Sequence, residues 1–349
     1  MNEATANVTS VLVTGGAGFI GSNFIPYFLA EHPGYRVINL DNLSYAGSLD
    51  NLKEVEDHPR YKFVRGDIVN RELLEFLFDE YDIHGVIHFA AESHVDNSIS
   101  GPDVFIQTNI NGTFTVLDVA RCYWMTAPRQ FKPGHETSRF HHISTDEVYG
   151  SLGETGQFTE DTPYAPNSPY SASKASSDML VRSYFHTYGM NVVTSNCSNN
   201  YGPKQHAEKL IPTIIRKALS GQPIPIYGDG RNVRDWLYVL DHCRGIDMVF
   251  HKGRSGESYN IGGGNERENR HIAVNICELL DRMAPDDVDG TPSSYKRLIT
   301  FVSDRPGHDR RYAVDAGKIT RELGWKADED FESGLNKTVE WYLEQLSGE

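Results

Sequence analysis

The chain is poor in cysteine. Of its 349 residues only Cys122, Cys197, Cys243 and Cys277 are cysteines, and no two form a C-x-x-C pair. That argues against a disulfide framework and a cysteine-held zinc centre, and no metal site is expected. The thiols read as buried groups in a reducing compartment. No stretch approaches the roughly 18 apolar residues of a membrane span, and the first ten residues are polar, without the apolar segment of a secretory signal. A cytoplasmic protein with no membrane partner is the expectation, and Asn7-Val8-Thr9, a glycosylation acceptor by pattern, reads as chance. Positive charge is scarce too: 33 Lys and Arg stand against 48 Asp and Glu, a net charge of −15. Gripping a phosphate backbone needs a broad basic face, so no nucleic-acid partner is expected. A small anionic ligand still fits wherever Arg and Lys gather locally. There is no internal repeat, and nothing of low complexity beyond Gly262-Gly263-Gly264.

What is present is an alternation of strand and helix signals. Val11-Leu12-Val13-Thr14 is a short apolar run ending in a glycine turn. Phe24, Ile25, Phe28 and Leu29 then follow at helical spacing. Gly16, Gly18 and Gly21 form G-x-G-x-x-G between strand and helix, where absent side chains let a pyrophosphate approach the helix N-terminus. A second strand at 36–40 ends in Asp41, 20 residues after Gly21. An acid there accepts from the adenosine ribose and repels a 2′-phosphate, which favours NAD over NADP. Further strands are expected at 61–65, 85–89, 140–144 and 191–196. Asp67 and Ile68 then edge the adenine, with a helix cap or turn as the plainer role for Asp67. Helices are expected at 72–78 and 108–124, with a surface loop at 124–134.

Ser168-Pro169 is a helix start and Gly189 its end, which makes Tyr170 and Lys174 neighbours one turn apart. Beyond Asn199-Asn200-Tyr201-Gly202-Pro203 the alternation gives way to shorter elements. That region brings in Lys209, Arg234, Arg305, Arg310 and Arg311, and Tyr227 offers an aromatic for a base. Tyr259-Asn260-Ile261 returns a strand to the first sheet, and Leu335, Val339, Tyr342 and Leu346 form one face of a closing helix. The fold class expected is α/β, a doubly wound parallel Rossmann sheet with a smaller mixed α/β substrate-binding domain. Residues 1–198 plus about 235–262 form the first domain, and about 199–234 plus 263–349 the second.

Thr14-Gly15-Gly16-Ala17-Gly18-Phe19-Ile20-Gly21 with Tyr170-x-x-x-Lys174 resembles the extended short-chain dehydrogenase/reductase family. Asp41 to Gly47, Ala90 to Asp96, Ser144 to Gly150, Ser168 to Asp178, Arg234 to Val239 and Asp304 to Tyr312 are similar to its dTDP-glucose 4,6-dehydratase branch. The resemblance implies a bound NAD, a nucleotide-sugar substrate and a homodimer formed through the helices near 108–124 and 170–188. For the cofactor it implies Gly15, Gly18, Phe19, Ile20, Gly21, Asp41, Asn42, Leu43, Ser44, Asp67, Ile68, Phe89, Ala90, Ala91, Ser93, Thr108, Tyr170, Lys174 and Asn200. For the substrate it implies Ser93, Thr145, Asn199, Lys209, Leu210, Pro225, Ile226, Tyr227, Arg234, Asn269, Arg305 and His308. Residues 151–157 are shorter than the loop many relatives carry, and 125–138 are of unfamiliar composition.

The implied reaction oxidises C4, eliminates water across C5 and C6, and reduces C6. Tyr170 is expected to take the 4-hydroxyl proton with its pKa lowered by Lys174, and Thr145 to hydrogen-bond the same oxygen. Glu147 is the expected base at C5, and Asp146 the acid at the C6 hydroxyl, kept protonated by burial and its neighbour's charge. Successive strand residues face opposite ways, so the chain must leave strand geometry at Asp146. The alternatives are a UDP- or GDP-sugar 4,6-dehydratase, a nucleotide-sugar 4-epimerase, which needs no Asp-Glu couple, and a non-catalytic NAD-binding protein.

Overall fold

Seven strands, six of them mostly buried and the edge strand Tyr61–Arg65 only partly so, line up in parallel in the computed structural model. Their order is Ser258–Ile261, Val192–Cys197, Arg139–Thr145, Ile83–His88, Thr9–Thr14, Tyr35–Asp41, Tyr61–Arg65. The structure describes residues 8–288 and 291–347. Asn7 of the glycosylation pattern and both extreme ends of the expected domains lie outside the described residues. Val11 and Val13 point to one face and Leu12 to the other, the two-residue period of a strand. Leu12, Ile38, Leu40, Val86 and Phe140 pack beneath helices Arg71–Tyr81, Thr113–Trp124 and Pro169–Tyr188. Val11, Val13, Val37 and Ile87 pack beneath Phe19–Glu31 and Val239–Lys252. Helices on both faces are what a parallel sheet with near-continuous apolar strands requires. Strand order reverses beside Thr9–Thr14, where a doubly wound sheet opens its ligand crevice at the strands' C-terminal ends.

A second core gathers around Tyr201, Ile214, Trp236, Ile276 and Phe331. It is built on a three-stranded sheet of Glu266–Glu268, Val233–Tyr238 and Asn199–Tyr201, and on a parallel pair, Ile224–Tyr227 with Ile299–Val302. Helices Leu210–Leu219, Asn269–Met283 and Phe331–Ser347 cover it, and Leu335, Val339 and Tyr342 are buried along the last of these. Among the described residues no helix is long and apolar enough to cross a membrane.

Three expectations need correction. The helix expected from 108 is preceded by Pro102–Phe105 and by wider π-helical turns over Ile106–Gly112. Within those turns the Asn109 side chain accepts from Glu92 N at 2.8 Å and donates to Glu92 O and Ser173 Oγ. The stretch expected as a surface loop contains a small hairpin, Met125–Ala127 with Gln130–Phe131. It hangs from Trp124, which is fully buried and donates from its indole to the Ile83 carbonyl at 2.6 Å. Of the four thiols, Cys122 is exposed and the other three are buried.

Helix Pro169–Tyr188 starts as expected. Ser168 Oγ accepts from Ser171 N at 3.1 Å, and Ser171 Oγ returns to Ser168 N at 3.0 Å, a reciprocal cap. Ser168→Ala removes the acceptor and should cost about 1 kcal/mol, seen as a lower urea midpoint with unchanged slope. An unchanged midpoint would mean that packing alone sets this helix start.

Candidate active site

The glycine turn closes onto the sheet because side chains have no room there. Gly15 has a φ of 71°, and a Cβ on it would sit 2.6 Å from Ala90 N. A Cβ on Gly21 would lie 2.6 Å from the Gly15 carbonyl. Helix Phe19–Glu31 has Gly18 at its N-cap and no side chain capping it, so its leading N–H groups remain available to an anion. Asp41, 7% exposed, accepts from Ala17 N at 2.9 Å and Leu43 N at 2.8 Å. Burial raises its pKa, and those two donors oppose the rise. The cradle fits a dinucleotide pyrophosphate, with Asp41 one strand further out on the same cleft.

That cleft is lined by Gly15, Gly18, Phe19, Ile20, Gly21, Asp41, Asn42, Ser44, Ile68, Phe89, Ala90, Ala91, Ser93, Thr108, Thr145, Asp146, Glu147, Tyr170, Lys174, Asn199, Asn200 and Lys209. It runs on into a second chamber lined by Ser93, Glu147, Asn199, Asn200, Lys209, Leu210, Pro225, Tyr227, Arg234, Asn269, Arg305 and His308. Three anticipated side chains are not on either wall. Leu43 packs against the core under the glycine helix. Asp67 accepts from Val69 N at 3.0 Å in a turn, its plainer role. Ile226 is 1% exposed and points into the second core, since strand alternation sends Pro225 and Tyr227 the other way. Sequence reasoning missed Gln205, His206 and Glu208, which line the first chamber. Their signal was polarity directly after a Gly-Pro turn.

The catalytic candidates meet at the end of strand Arg139–Thr145. Thr145 leaves the strand as an N-cap, its hydroxyl accepting from Glu147 N at 3.3 Å, and Asp146–Tyr149 form one 3₁₀ turn. With about three residues per turn, Asp146 and Glu147 both reach the cleft that a continuing strand would have split between faces. Asp146 is 2% exposed, and its Oδ2 has no hydrogen-bond partner. Burial, then the charges of Glu147 and Asp235, push its pKa well above the carboxylate range, against Arg234. Burial also raises Glu147, but Arg234, Arg305 and Lys209 all pull it back.

Tyr170 corrects the sequence reading. Its phenol pKa is raised well above 10, chiefly by burial and then by Glu147, whereas a lowering was expected. Lys174 lies one turn away as anticipated, but its ammonium donates to the Ile143 carbonyl at 2.8 Å. Burial lowers the Lys174 pKa as well.

The second chamber sets Lys209, Arg234 and Arg305 beside Asp96, Glu147 and Glu208, with Arg305 Nη1 3.4 Å from Asp96 Oδ1 and Lys209 Nζ 3.8 Å from Glu208 Oε1. Lys209 Nζ donates to Ser93 O at 3.1 Å, and Arg234 is pinned by the Val233 and Asp309 carbonyls at 2.8 and 2.9 Å. Arg305 sits over the Tyr227 ring at 5.8 Å, and that ring is 42% exposed. Buried Asn199 Oδ1, Asn269 Oδ1 and Trp236 Nε1 have no partner, which suits a polar ligand.

Asp146 makes stability depend on pH. Its folded pKa is raised, so its contribution is full below the unfolded value, about 3.9, and is lost as pH rises through the folded pKa. Asp146→Asn cannot ionise, so its thermal midpoint should exceed that of the parent at neutral pH and converge with it near pH 4. A pH-independent gap would contradict this.

A family model described as GDP-mannose 4,6 dehydratase matches residues 12–338. The dTDP-glucose 4,6-dehydratase of Xanthomonas campestris pv. campestris (strain B100) is 56% identical over 332 residues, 95% of this chain and 92% of that protein. Its counterpart in Neisseria meningitidis serogroup B (strain MC58) is 56% identical over 335 residues, 96% and 93% of the two chains. The solved dTDP-glucose 4,6-dehydratase of Bacillus anthracis, in complex with NAD, superposes with a TM-score of 0.84 at 48% identity, covering 97% of this chain and 98% of that one. The chain therefore belongs to the nucleotide-sugar dehydratase family that this model describes, and within it to the dTDP-glucose 4,6-dehydratases.

Proposed function

We propose that the chain converts dTDP-glucose into dTDP-4-keto-6-deoxyglucose and water. One observation carries this beyond a generic sugar oxidoreductase: Asp146 and Glu147 share a single turn on the cleft that also holds Tyr170, in environments that separate an acid from a base. An epimerase on this scaffold needs no such pair. NAD, when bound, supplies the oxidation at C4 and the matching reduction at C6, and is unchanged overall. The uncapped glycine helix would hold its pyrophosphate, and Asp41 its adenosine ribose.

Tyr170, as its phenolate, would accept the 4-hydroxyl proton, with Thr145 fixing that oxygen. Once C4 is a ketone the hydrogen on C5 is acidic, and Glu147 would remove it. Asp146, still protonated, would give its proton to the departing C6 hydroxyl, so the elements of water leave. Lys209, Arg234 and Arg305 would receive the diphosphate, and Tyr227 the base.

We also place residues 1–198 and about 235–262 in a cofactor-binding domain, and about 199–234 and 263–349 in a substrate-binding one. The core around Tyr201, Ile214 and Trp236, distinct from the clusters on the two sheet faces, supports that division, although Ile319 and Trp325 pack with Val193 and Tyr259 of the first domain. A homodimer is supported by exposed Phe114 and Met179 on two helices that pack side by side. A cytoplasmic site is supported by four unpaired cysteines.

Incubation with dTDP-, UDP- and GDP-glucose tests the reaction, since the 4-keto-6-deoxy product absorbs in strong base. Product from dTDP-glucose above the other two is expected, and no chromophore from any would refute the reading. Asp146→Asn and Glu147→Gln should each keep NAD and lose about 100-fold or more in turnover. Glu147→Gln alone should also block exchange of the C5 hydrogen with solvent. Light scattering should give twice the chain mass, and a monomer would refute the dimer.

A further inference from the structure

No residue of 125–138 is among those that line either chamber of the cleft, and the segment delivers a buried histidine to the end of the sheet opposite it. His135, 8% exposed, meets His84 at the start of strand Ile83–His88, and Asp82, which ends the preceding helix in a left-handed conformation with φ 49°. The two imidazole rings lie 4.6 Å apart at 31°, and one ligand-capable atom from each of the three residues lies within 4.8 Å of the others.

The remaining nitrogens separate this cluster from an ordinary ion pair. His84 Nδ1 donates to the Asp82 carbonyl at 2.7 Å and lies 3.8 Å from Asp82 Oδ2, which leaves Nε2 as the lone-pair nitrogen. His135 Nδ1 pairs with Ser138 Oγ at 3.0 Å, and its Nε2 lies 3.5 Å from Asp82 Oδ1. That separation is long for a hydrogen bond. It is close to the roughly 3.3 Å edge between two ligands held at 2.0–2.1 Å around a tetrahedral ion. A ring nitrogen tied to an oxygen, with the other left for metal, is how ligating histidines are oriented. Tyr123 adds a bond from its hydroxyl to Asp82 Oδ1 at 3.2 Å, fixing the carboxylate. A second cluster, His32, Asp247 and His251, lacks this opening. Asp247 Oδ1 there sits 2.8 Å from His32 Nε2 and 2.9 Å from His251 Nδ1, hydrogen-bond lengths that close the group on itself.

We propose that Asp82, His84 and His135 bind one divalent transition ion of the zinc type, with solvent in the fourth position. Two imidazoles and a carboxylate suit such an ion. The Asp82 side chain is 65% exposed, so an ion and its water can enter from solvent. The site staples the 125–138 segment to the corner between helix Arg71–Tyr81 and strand Ile83–His88, away from the reacting groups.

The test uses the full chain, stripped with chelator and dialysed against zinc at micromolar concentration. One equivalent should be retained by elemental mass spectrometry, the thermal midpoint should rise, and cobalt in its place should show the visible bands of a four-coordinate site. His84→Gln and His135→Gln should each abolish saturable uptake and the thermal shift. Ser138→Ala, which frees only the far side of His135, should weaken binding about tenfold. His251→Gln should leave it intact, and turnover of the His84 variant should match the parent. If the His135 variant does not fold, the part-exposed His84 still decides the matter. Failure to saturate at one equivalent overturns the proposal, as does uptake that survives His84→Gln or is lost with His251→Gln.

Discussion

The carboxylate of Asp178 holds the catalytic end of the sheet in place. It is 4% exposed and accepts from Ser144 Oγ at 2.8 Å, Tyr164 OH at 2.9 Å and Asn196 Nδ2 at 3.3 Å. His142 Nε2 lies 3.1 Å from its other oxygen. A buried carboxylate is costly unless its lone pairs are used, and here several elements supply the donors. Asn196 also donates to the Thr145 carbonyl at 3.2 Å. The residues just before the Asp146–Tyr149 turn are therefore clamped to the helix that carries Tyr170 and Lys174. Turn and helix form one body, which is what a site with three proton-moving groups needs.

Asp146 and Glu147 are adjacent in sequence but not in electrostatics. Asp146 is backed by Asp235, whereas Glu147 faces Arg234, Arg305 and Lys209 from the second core. The guanidinium of Arg234 cannot swing to serve both equally: two carbonyls hold it, and it lies over the Tyr312 ring at 4.2 Å. Both carboxylates leave the same turn, and beyond burial it is the charges around each, Asp235 for Asp146 and Arg305 and Lys209 for Glu147, that set them apart.

Features with local causes were legible in the sequence. The glycine turn, the Ser168-Pro169 helix start and the apolar strands each announce themselves within a few residues. Departure from strand geometry at Asp146 followed from the two-residue period once both carboxylates were assigned to one cleft. Features with distant causes were not legible. The π-helical turns at Ile106–Gly112 carry Asn109 to Glu92 and Ser173, and the hairpin follows Trp124, whose indole reaches Ile83, contacts between residues far apart in sequence. Helical spacing put Lys174 beside Tyr170 but could not say that its ammonium would find the Ile143 carbonyl. Likewise strand period marks Pro225, Ile226 and Tyr227 as alternating, without saying which face meets the cleft.

The raised pKa of Tyr170 has a consequence for the order of events. Glu147 is the largest contributor to it after burial, so the two groups do not titrate independently. An ionised Glu147 makes the phenolate a stronger base and a scarcer one; a protonated Glu147 relaxes both effects. Under the proposed roles, Tyr170 takes its proton while Glu147 is charged, and the field of the carboxylate then holds that proton on the phenol. When Glu147 gains the C5 proton, that hold weakens; in the closing reduction C6 would become a methyl group and C5 would regain its proton, while C4 stays a ketone. The Thr145-Asp146-Glu147 turn thus bears on Tyr170 as well as on the leaving water, through the charge of Glu147 in a cleft where burial weakens screening.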